Sequence, residues 1–437
     1  MTAKRNDYTM EKIVINGARP LNGEIEIGGM KNGALPIIFA SILVADGVCV
    51  LENLPAVKDI DLSLEIIESL GAKVERIDKH TARIDASAVR VAEPPASLVR
   101  KMRASYYLLG AELGRFGEAV VQYPGGCDFG GRPIDRHIKG FETLGATVTE
   151  TFSESGKCVR AVTEDGVIGA NVFFDDVSVG ATINVMLASA TAKGLTIIEN
   201  AAREPHIVDL ANFLNTCGAK VMGAGTPTIK ITGVDKSELH GCTYTVVPDM
   251  IEAGTYMVAA AATGGKVLIK NVIPKHLEAT STKLAEMGVK IVENDDSVEV
   301  SVPDGLNATN IKTLPYPGIP TDMQPQFCVL MCVAQGTSKL VEGVFDNRFQ
   351  YVGQLRNMGA SIEVNGRVAT ISGGSPLYGA PVSALDLRAG AAMVIAGLAA
   401  QGRTEIENIN YINRGYEDIV EKLSALGADI STINVDD

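Results

Sequence analysis

Six short stretches decide the fold: LGAKVE (70–75), LGATVT (144–149), CGAKVM (217–222), MGVKIV (287–292), MGASIE (358–363) and LGADIS (426–431). Their glycines, Gly71, Gly145, Gly218, Gly288, Gly359 and Gly427, recur every 68 to 74 residues. Self-similarity at a fixed period marks a repeated structural unit. Each stretch follows an amphipathic helical pattern, such as DIDLSLEIIESLG (59–71) or YEDIVEKLSALG (416–427), and opens a strand-like run. Glycine suits the junction because it accepts the left-handed backbone that ends a helix.

A second set keeps the same phase: ADGVCVLEN (45–53), RFGEAVVQY (115–123), AKGLTIIEN (192–200), GGKVLIKN (264–271), QGTSKLVE (335–342) and QGRTEIEN (401–408). In four of them Asn follows the glycine by six residues, at Asn53, Asn200, Asn271 and Asn408. The helices ahead of this set are apolar on nearly all sides, as in ALPIIFASILVA (34–45), TYMVAAAAT (255–263) and AAMVIAGLAA (391–400). A helix of that kind has to be buried all round. Each repeat therefore reads as helix, strand, helix and two strands. The expected fold class is α/β: a two-lobed inside-out α/β barrel with buried helices and surface sheets. The sixth repeat is short of its last strands, and KIVINGARPLNGEIEIGGMK (12–31) resembles the stretch that closes the third, IKITGVDKSELHGCTYTVVPD (229–249). Residues 12–30 thus read as the tail of the sixth repeat moved to the N-terminus. The expected domains are 31–247, with repeats one to three, and 1–30 plus 248–437, with repeats four to six.

The chain has 437 residues, 46% of them hydrophobic, and a formal net charge of −13. An acidic surface argues against nucleic acid and anionic membranes as partners. The longest apolar runs are too short for a bilayer span. Cys49, Cys127, Cys158, Cys217, Cys242, Cys328 and Cys332 show no CxxC or Cys/His spacing, and the five histidines form no ligand pattern. The expectation is no metal, no cofactor and no secretory signal, hence a cytoplasmic protein with reduced thiols. His137 and His206, at the starts of second helices, read as capping or solvent-exposed side chains.

The charge that matters is placed in phase with the repeats. Lys31-Asn32, Arg103, Ser178, Asp249 with Glu252, Asp322, and Asp386 with Arg388 mark the starts of the apolar helices. Arg132, Arg203, Arg348 and Arg414 precede the second helices. Helix N-termini carry partial positive charge, and arginine holds phosphate or carboxylate through paired bonds. The set therefore reads as an anion-attracting site, against the plainer alternative that these residues cap helices or pair with Asp386, Asp346 and Glu417. The second cue is YPGGCDFGGRPIDRH (123–137), where Cys127 lies between two Gly-Gly pairs and five residues before Arg132. A thiol beside arginine is more readily the reactive thiolate.

With GGMKNGALP (28–36), KMRASYYLLG (101–110), PGGCDFGGRPIDRH, SVGATIN (178–184), ENAAREPHIVD (199–209), PTDMQPQF (320–327), FDNRF (345–349), LDLRA (385–389) and INRGYE (412–417), the chain resembles the enolpyruvyl transferase family. Within that family the motifs are similar to those of UDP-N-acetylglucosamine 1-carboxyvinyltransferases, over about residues 12 to 432. The resemblance implies transfer of the 1-carboxyvinyl group of phosphoenolpyruvate to the 3-hydroxyl of UDP-N-acetylglucosamine, the first committed step of peptidoglycan synthesis. It implies catalytic roles for Cys127, Asp322, Lys31 and Arg414. It places phosphoenolpyruvate against Lys31, Asn32, Arg132, Arg388 and Arg414. It places the UDP-sugar against Arg103, Arg132, Pro133, Ile134, Asp135, Arg136, Ser178, Val179, Gly180, Asp322 and Val344, with Arg348 nearby. Asp176 departs from the pattern, standing where some members have lysine. Two alternatives stay open: transfer to shikimate 3-phosphate, and a non-catalytic relative that binds UDP-sugars.

Overall fold

The computed structural model describes residues 10–123, 134–153 and 156–435. The chain divides into two compact lobes. One runs from Gly28 to Asp249 and takes in Pro315–Pro317; the other comprises the residues up to Ile27, Met250–Leu314 and the chain from Gly318 onward. In each lobe the apolar helices are central. The first lobe centres on Lys31–Ala40, Tyr107–Phe116 and Val179–Ser189, and the second on Met250–Ala262, Gln324–Val333 and Leu387–Ala399. Almost every residue of these helices is buried, as their unbroken apolar composition demands. Two glycines let a pair of them touch. A Cβ on Gly110 would lie 2.4 Å from the Asn184 carbonyl oxygen, and one on Gly114 would lie 2.8 Å from that of Leu187.

The strands form six sheets among the described residues, five of four strands and one of three. The N-terminal strand Met10–Asn16 lies between Arg403–Glu407 and Asp429–Val435, antiparallel to both. Each four-stranded sheet also holds one parallel pair, formed by a strand that arrives from a neighbouring repeat. Asn171–Phe173 pairs with Leu195–Glu199, and Thr243–Thr245 with Cys49–Glu52. Ile311–Lys312 pairs with Gly336–Val341, Pro381–Ser383 with Arg403–Glu407, and Asn22–Glu26 with Lys266–Lys270. The visiting strand passes from one repeat to the next, and the third repeat of each lobe passes its strand back to the first.

The sequence repeats now have a local cause. All six glycines of the first set have φ between 88° and 106°, a conformation that costs other residues energy. The four asparagines have φ between 55° and 59°, which asparagine tolerates better than most. Their side-chain amides donate to the end of the visiting strand: Asn53 to the Val246 carbonyl at 2.8 Å, Asn200 to that of Phe174 at 2.8 Å and Asn271 to that of Ile27 at 2.6 Å. Asn408 donates to Ser383 Oγ at 2.7 Å. Asparagine supplies the turn and fastens the borrowed strand with one side chain.

Candidate active site

Lys31 is the first residue of its helix and its backbone N–H donates to Asp249 Oδ2 at 3.3 Å. The loop before it is fixed from behind, because Met30 N–H donates to the Val247 carbonyl at 2.7 Å. The Lys31 ammonium meets Asp59 at 2.7 Å, and both side chains are buried. Asp59 sits in the first turn of helix Lys58–Ser69, where a carboxylate is favoured by the helix dipole. Asn32 follows in the same first turn and is half-buried.

A second group in this lobe gathers around His137. Its ring lies 5.7 Å from that of Tyr106, and Arg103 covers the other ring of that pair with its guanidinium 5.5 Å from the Tyr106 centroid. Gly180 faces His137 so closely that a Cβ there would approach the ring to 3.0 Å. Asn184 fixes the imidazole. Its Oδ1 accepts from Gly110 N–H at 2.8 Å, so its amide nitrogen donates to His137 Nδ1 at 2.7 Å. The ring is then neutral, with its proton on Nε2. Burial pushes the His137 pKa down to about 3, with help from Arg103 and Arg136. His137 is therefore buried in the structure, and the expectation of an exposed or capping side chain is corrected; His206 is buried as well. An apolar helix partner, Val179–Ser189, closes over the position that solvent would have occupied.

Ser178 caps that partner helix by accepting from Ala181 N–H at 3.3 Å, and Val179 and Gly180 form its first turn. Ile134 is buried just ahead of helix Asp135–Thr143, so it can offer a ligand only its backbone. Arg136 pairs with Asp176 at 2.6 Å, both side chains being exposed. The acid that departs from the family pattern thus has a basic neighbour that sequence spacing did not connect to it. Cys127, Arg132 and Pro133 lie outside the described residues.

In the other lobe Asp322 is the focus. It stands in the single turn Thr321–Met323 ahead of helix Gln324–Val333. Its Oδ1 meets Arg348 at 3.4 Å, and its Oδ2 accepts from Arg388 Nε at 3.1 Å. Both arginines are buried while Asp322 keeps 28% of its side chain exposed. Arg388 also lies over the ring of Tyr416, at 5.3 Å. Asp386 caps helix Leu387–Ala399 through Arg388 N–H and Ala389 N–H, and Asp346 pairs with Arg367. The two arginines therefore share Asp322, a partner that the sequence reading did not name for them. Val344 is 37% exposed, and its N–H donates to Glu342 at 2.8 Å, so the polar group it can present is its carbonyl oxygen. Arg414 ends the turn Ile409–Arg414, two residues before Tyr416.

Sequence reasoning missed Asp59, His137 and Asn184. Asp59 carries a usable signal, since it occupies the same helix-start phase as the arginines. Asn184 carries none, because it interrupts an apolar helix at one position.

The family model described as EPSP synthase (3-phosphoshikimate 1-carboxyvinyltransferase) matches residues 15–423. UDP-N-acetylglucosamine 1-carboxyvinyltransferase 3 of Caldanaerobacter subterraneus subsp. tengcongensis is 56% identical over 97% of this chain and 100% of its own. The chain belongs to the UDP-N-acetylglucosamine 1-carboxyvinyltransferase family. Another family member, from Clostridium botulinum, is 52% identical over 96% of this chain and 99% of its own. Among solved structures, the enolpyruvyl transferase NikO from Streptomyces tendae superposes with a TM-score of 0.87 at 26% identity, covering 98% of this chain and 100% of its own. EPSP synthase from Acinetobacter baumannii superposes with a TM-score of 0.74 at 19% identity, and shares the fold. The enolpyruvyl transferase resemblance drawn from the motifs and the two-lobed α/β fold both hold for this member of the family.

Proposed function

We propose that this chain transfers the 1-carboxyvinyl group of phosphoenolpyruvate to the 3-hydroxyl of UDP-N-acetylglucosamine and releases phosphate, the first committed step of peptidoglycan synthesis. The reading is carried by full-length identity of 49–56% to relatives of three genera named for that activity. No helix among the described residues is long and apolar enough to cross a membrane, in keeping with an enzyme of the cytoplasm.

The proposed steps are these. The Cys127 thiol gives its proton to the methylene carbon of phosphoenolpyruvate, leaving cationic character at C2. The sugar 3-hydroxyl attacks C2 while Asp322 takes its proton. The C2–O bond to phosphate then breaks and the phosphate leaves with the proton that Asp322 had taken, the methyl group returns a proton to the Cys127 thiolate, and the enol ether double bond is restored. Lys31, Asn32, Arg132, Arg388 and Arg414 bind phosphoenolpyruvate. Their cations stabilise the departing phosphate, where fixed charges are worth most. Arg103, Arg132, Pro133, Ile134, Asp135, Arg136, Ser178, Val179 and Gly180 bind the UDP-sugar. The neutral His137 packs between Tyr106 and Gly180 and props this wall. The Asp322 carboxylate and the Val344 carbonyl hold the sugar, and Arg348 orients Asp322.

The test is phosphate release from phosphoenolpyruvate with UDP-N-acetylglucosamine, with shikimate 3-phosphate, and with neither. Release that depends on the UDP-sugar supports the proposal. Release only with shikimate 3-phosphate, or binding of the UDP-sugar without any release, overturns it. Cys127→Ala is expected to bind the UDP-sugar and lose most turnover at neutral pH; undiminished turnover removes Cys127 as the acid.

A further inference from the structure

Three cysteines that lie far apart in the sequence converge in the Gly28–Asp249 lobe. The sulfurs of Cys49, Cys217 and Cys242 all lie within 4.8 Å of one another, and those of Cys217 and Cys242 are 3.4 Å apart. Cys49 and Cys217 are buried and Cys242 is half-buried, so the cluster has one side toward solvent.

The backbone holds all three in place. Cys49 opens strand Cys49–Glu52, and the N–H of the next residue, Val50, donates to the Cys242 carbonyl at 2.8 Å. Cys217 caps the C-terminus of helix Pro205–Thr216, and its carbonyl accepts from His240 N–H at 2.9 Å. Gly241 lets the two segments meet, since a Cβ there would fall 2.3 Å from both the N and the O of Val48. The sulfurs therefore converge because of strand pairing and a helix end, and none of these residues belongs to the proposed active site. Helix Pro205–Thr216 has twelve residues, so its capped end is roughly 17 Å from its start beside Arg203.

We propose that Cys49, Cys217 and Cys242 form a three-sulfur site for a soft, thiophilic d¹⁰ cation. Three sulfurs on one such ion at about 2.3 Å stand ~3.8–4.0 Å apart, a spacing that lies between the 3.4 Å of the Cys217–Cys242 pair and the 4.8 Å that bounds the whole cluster. Among the described residues no fourth Cys, His, Asp or Glu ligand joins the group. That favours a three-coordinate thiolate site over the four-coordinate arrangement of structural zinc. The ion releases the thiol protons as it binds. Because the site ties a helix end to the strand pair Cys49–Glu52 and Thr243–Thr245, occupancy adds to stability and leaves the chemistry of turnover alone.

The test uses reduced protein under anaerobic conditions, with Cd²⁺ as the probe and Cys127→Ser as the background, so that the loop thiol contributes nothing. One equivalent of Cd²⁺ is expected to bind, with sulfur-to-cadmium charge-transfer absorption for three thiolates and a thermal midpoint raised by several degrees. Cys242→Ser in that background is expected to lose about a third of the absorption and at least tenfold in affinity. The triple Cys49→Ala/Cys217→Ala/Cys242→Ala is expected to lose both absorption and stabilisation. Cys242→Ser in the otherwise native chain is expected to keep its turnover, which reports that the lobe is folded. A parent protein without the charge-transfer band overturns the proposal. Equal Cd²⁺ uptake by the parent and by the folded Cys242→Ser variant also overturns it, whatever the triple variant does.

Discussion

Asp59 begins an amphipathic second helix, Asp322 stands just ahead of an apolar first helix, and the two do opposite work. Asp59 is buried and pairs with the Lys31 ammonium. Asp322 is partly exposed and is shared by two buried cations, Arg348 and Arg388. Glu112 completes the series: among the described residues no cation bonds it, and burial pushes its pKa up to about 8. One acid is matched, one is outnumbered and one is left protonated. The lesson is that the same residue class serves as a buried counter-ion, as a carboxylate held by two arginines with one side toward solvent, or as a neutral acceptor, according to the neighbours the fold brings to it.

The largest effect should come from the outnumbered acid. Asp322→Asn is expected to lower kcat by ~10²–10⁴-fold, the usual range for a proton-transfer group, with UDP-sugar affinity changed much less. A kcat within threefold of the parent would remove Asp322 as the base. Next comes the matched acid. Asp59→Asn removes the carboxylate that lies 2.7 Å from the buried Lys31 ammonium, and breaking a buried pair costs about 3–5 kcal/mol. A denaturant midpoint unchanged from the parent would sink that account. The double variant Lys31→Met/Asp59→Leu should recover most of the stability and none of the activity.

The protonated acid gives a smaller effect with a distinctive pH dependence. Below pH 4.5 the Glu112 carboxyl is protonated in folded and unfolded chains alike. Between about 4.5 and about 8 the unfolded chain ionises while the folded one stays neutral, so stability falls as pH rises through this window. Glu112→Gln removes that slope. Its thermal midpoint should exceed the parent's by a few degrees at pH 8, and the advantage should shrink steadily toward pH 4.5. Parallel curves for the two proteins would contradict the assignment. The smallest effect concerns the strand clamps. Asn271→Ala gives up the bond to Ile27 and strains a left-handed residue, for ~1–2 kcal/mol. Asn271→Gly should cost less, and a reversed order would mean the conformation matters less than the bond.

Much of this architecture could be read from the chain because its repeats obey local rules. Gly71 and its five counterparts must be glycine for a backbone reason, and Asn53, Asn200, Asn271 and Asn408 mark left-handed turns. The all-round apolar helices announce their burial by composition alone. The candidate site was legible only to the extent that it follows the same phase, as with Lys31, Arg103, Asp322 and Arg388 of the proposed site. What stayed hidden depends on distance in three dimensions. The bond between Asn184 and His137, the pairing of Arg136 with Asp176 and the meeting of Cys49, Cys217 and Cys242 join positions separated by 25 to 193 residues, and no spacing rule connects them.

The placement of strand Met10–Asn16 between Arg403–Glu407 and Asp429–Val435 has a consequence for how the protein is made. The Gly28–Asp249 lobe is nearly continuous and can begin folding as soon as it leaves the ribosome. The strand made before it cannot. At ~5–20 residues per second, its partners emerge roughly 20–80 s later. Through that interval the apolar run IVI (13–15) waits unpaired, a natural target for a chaperone and the point at which a stalled translation product would begin to aggregate.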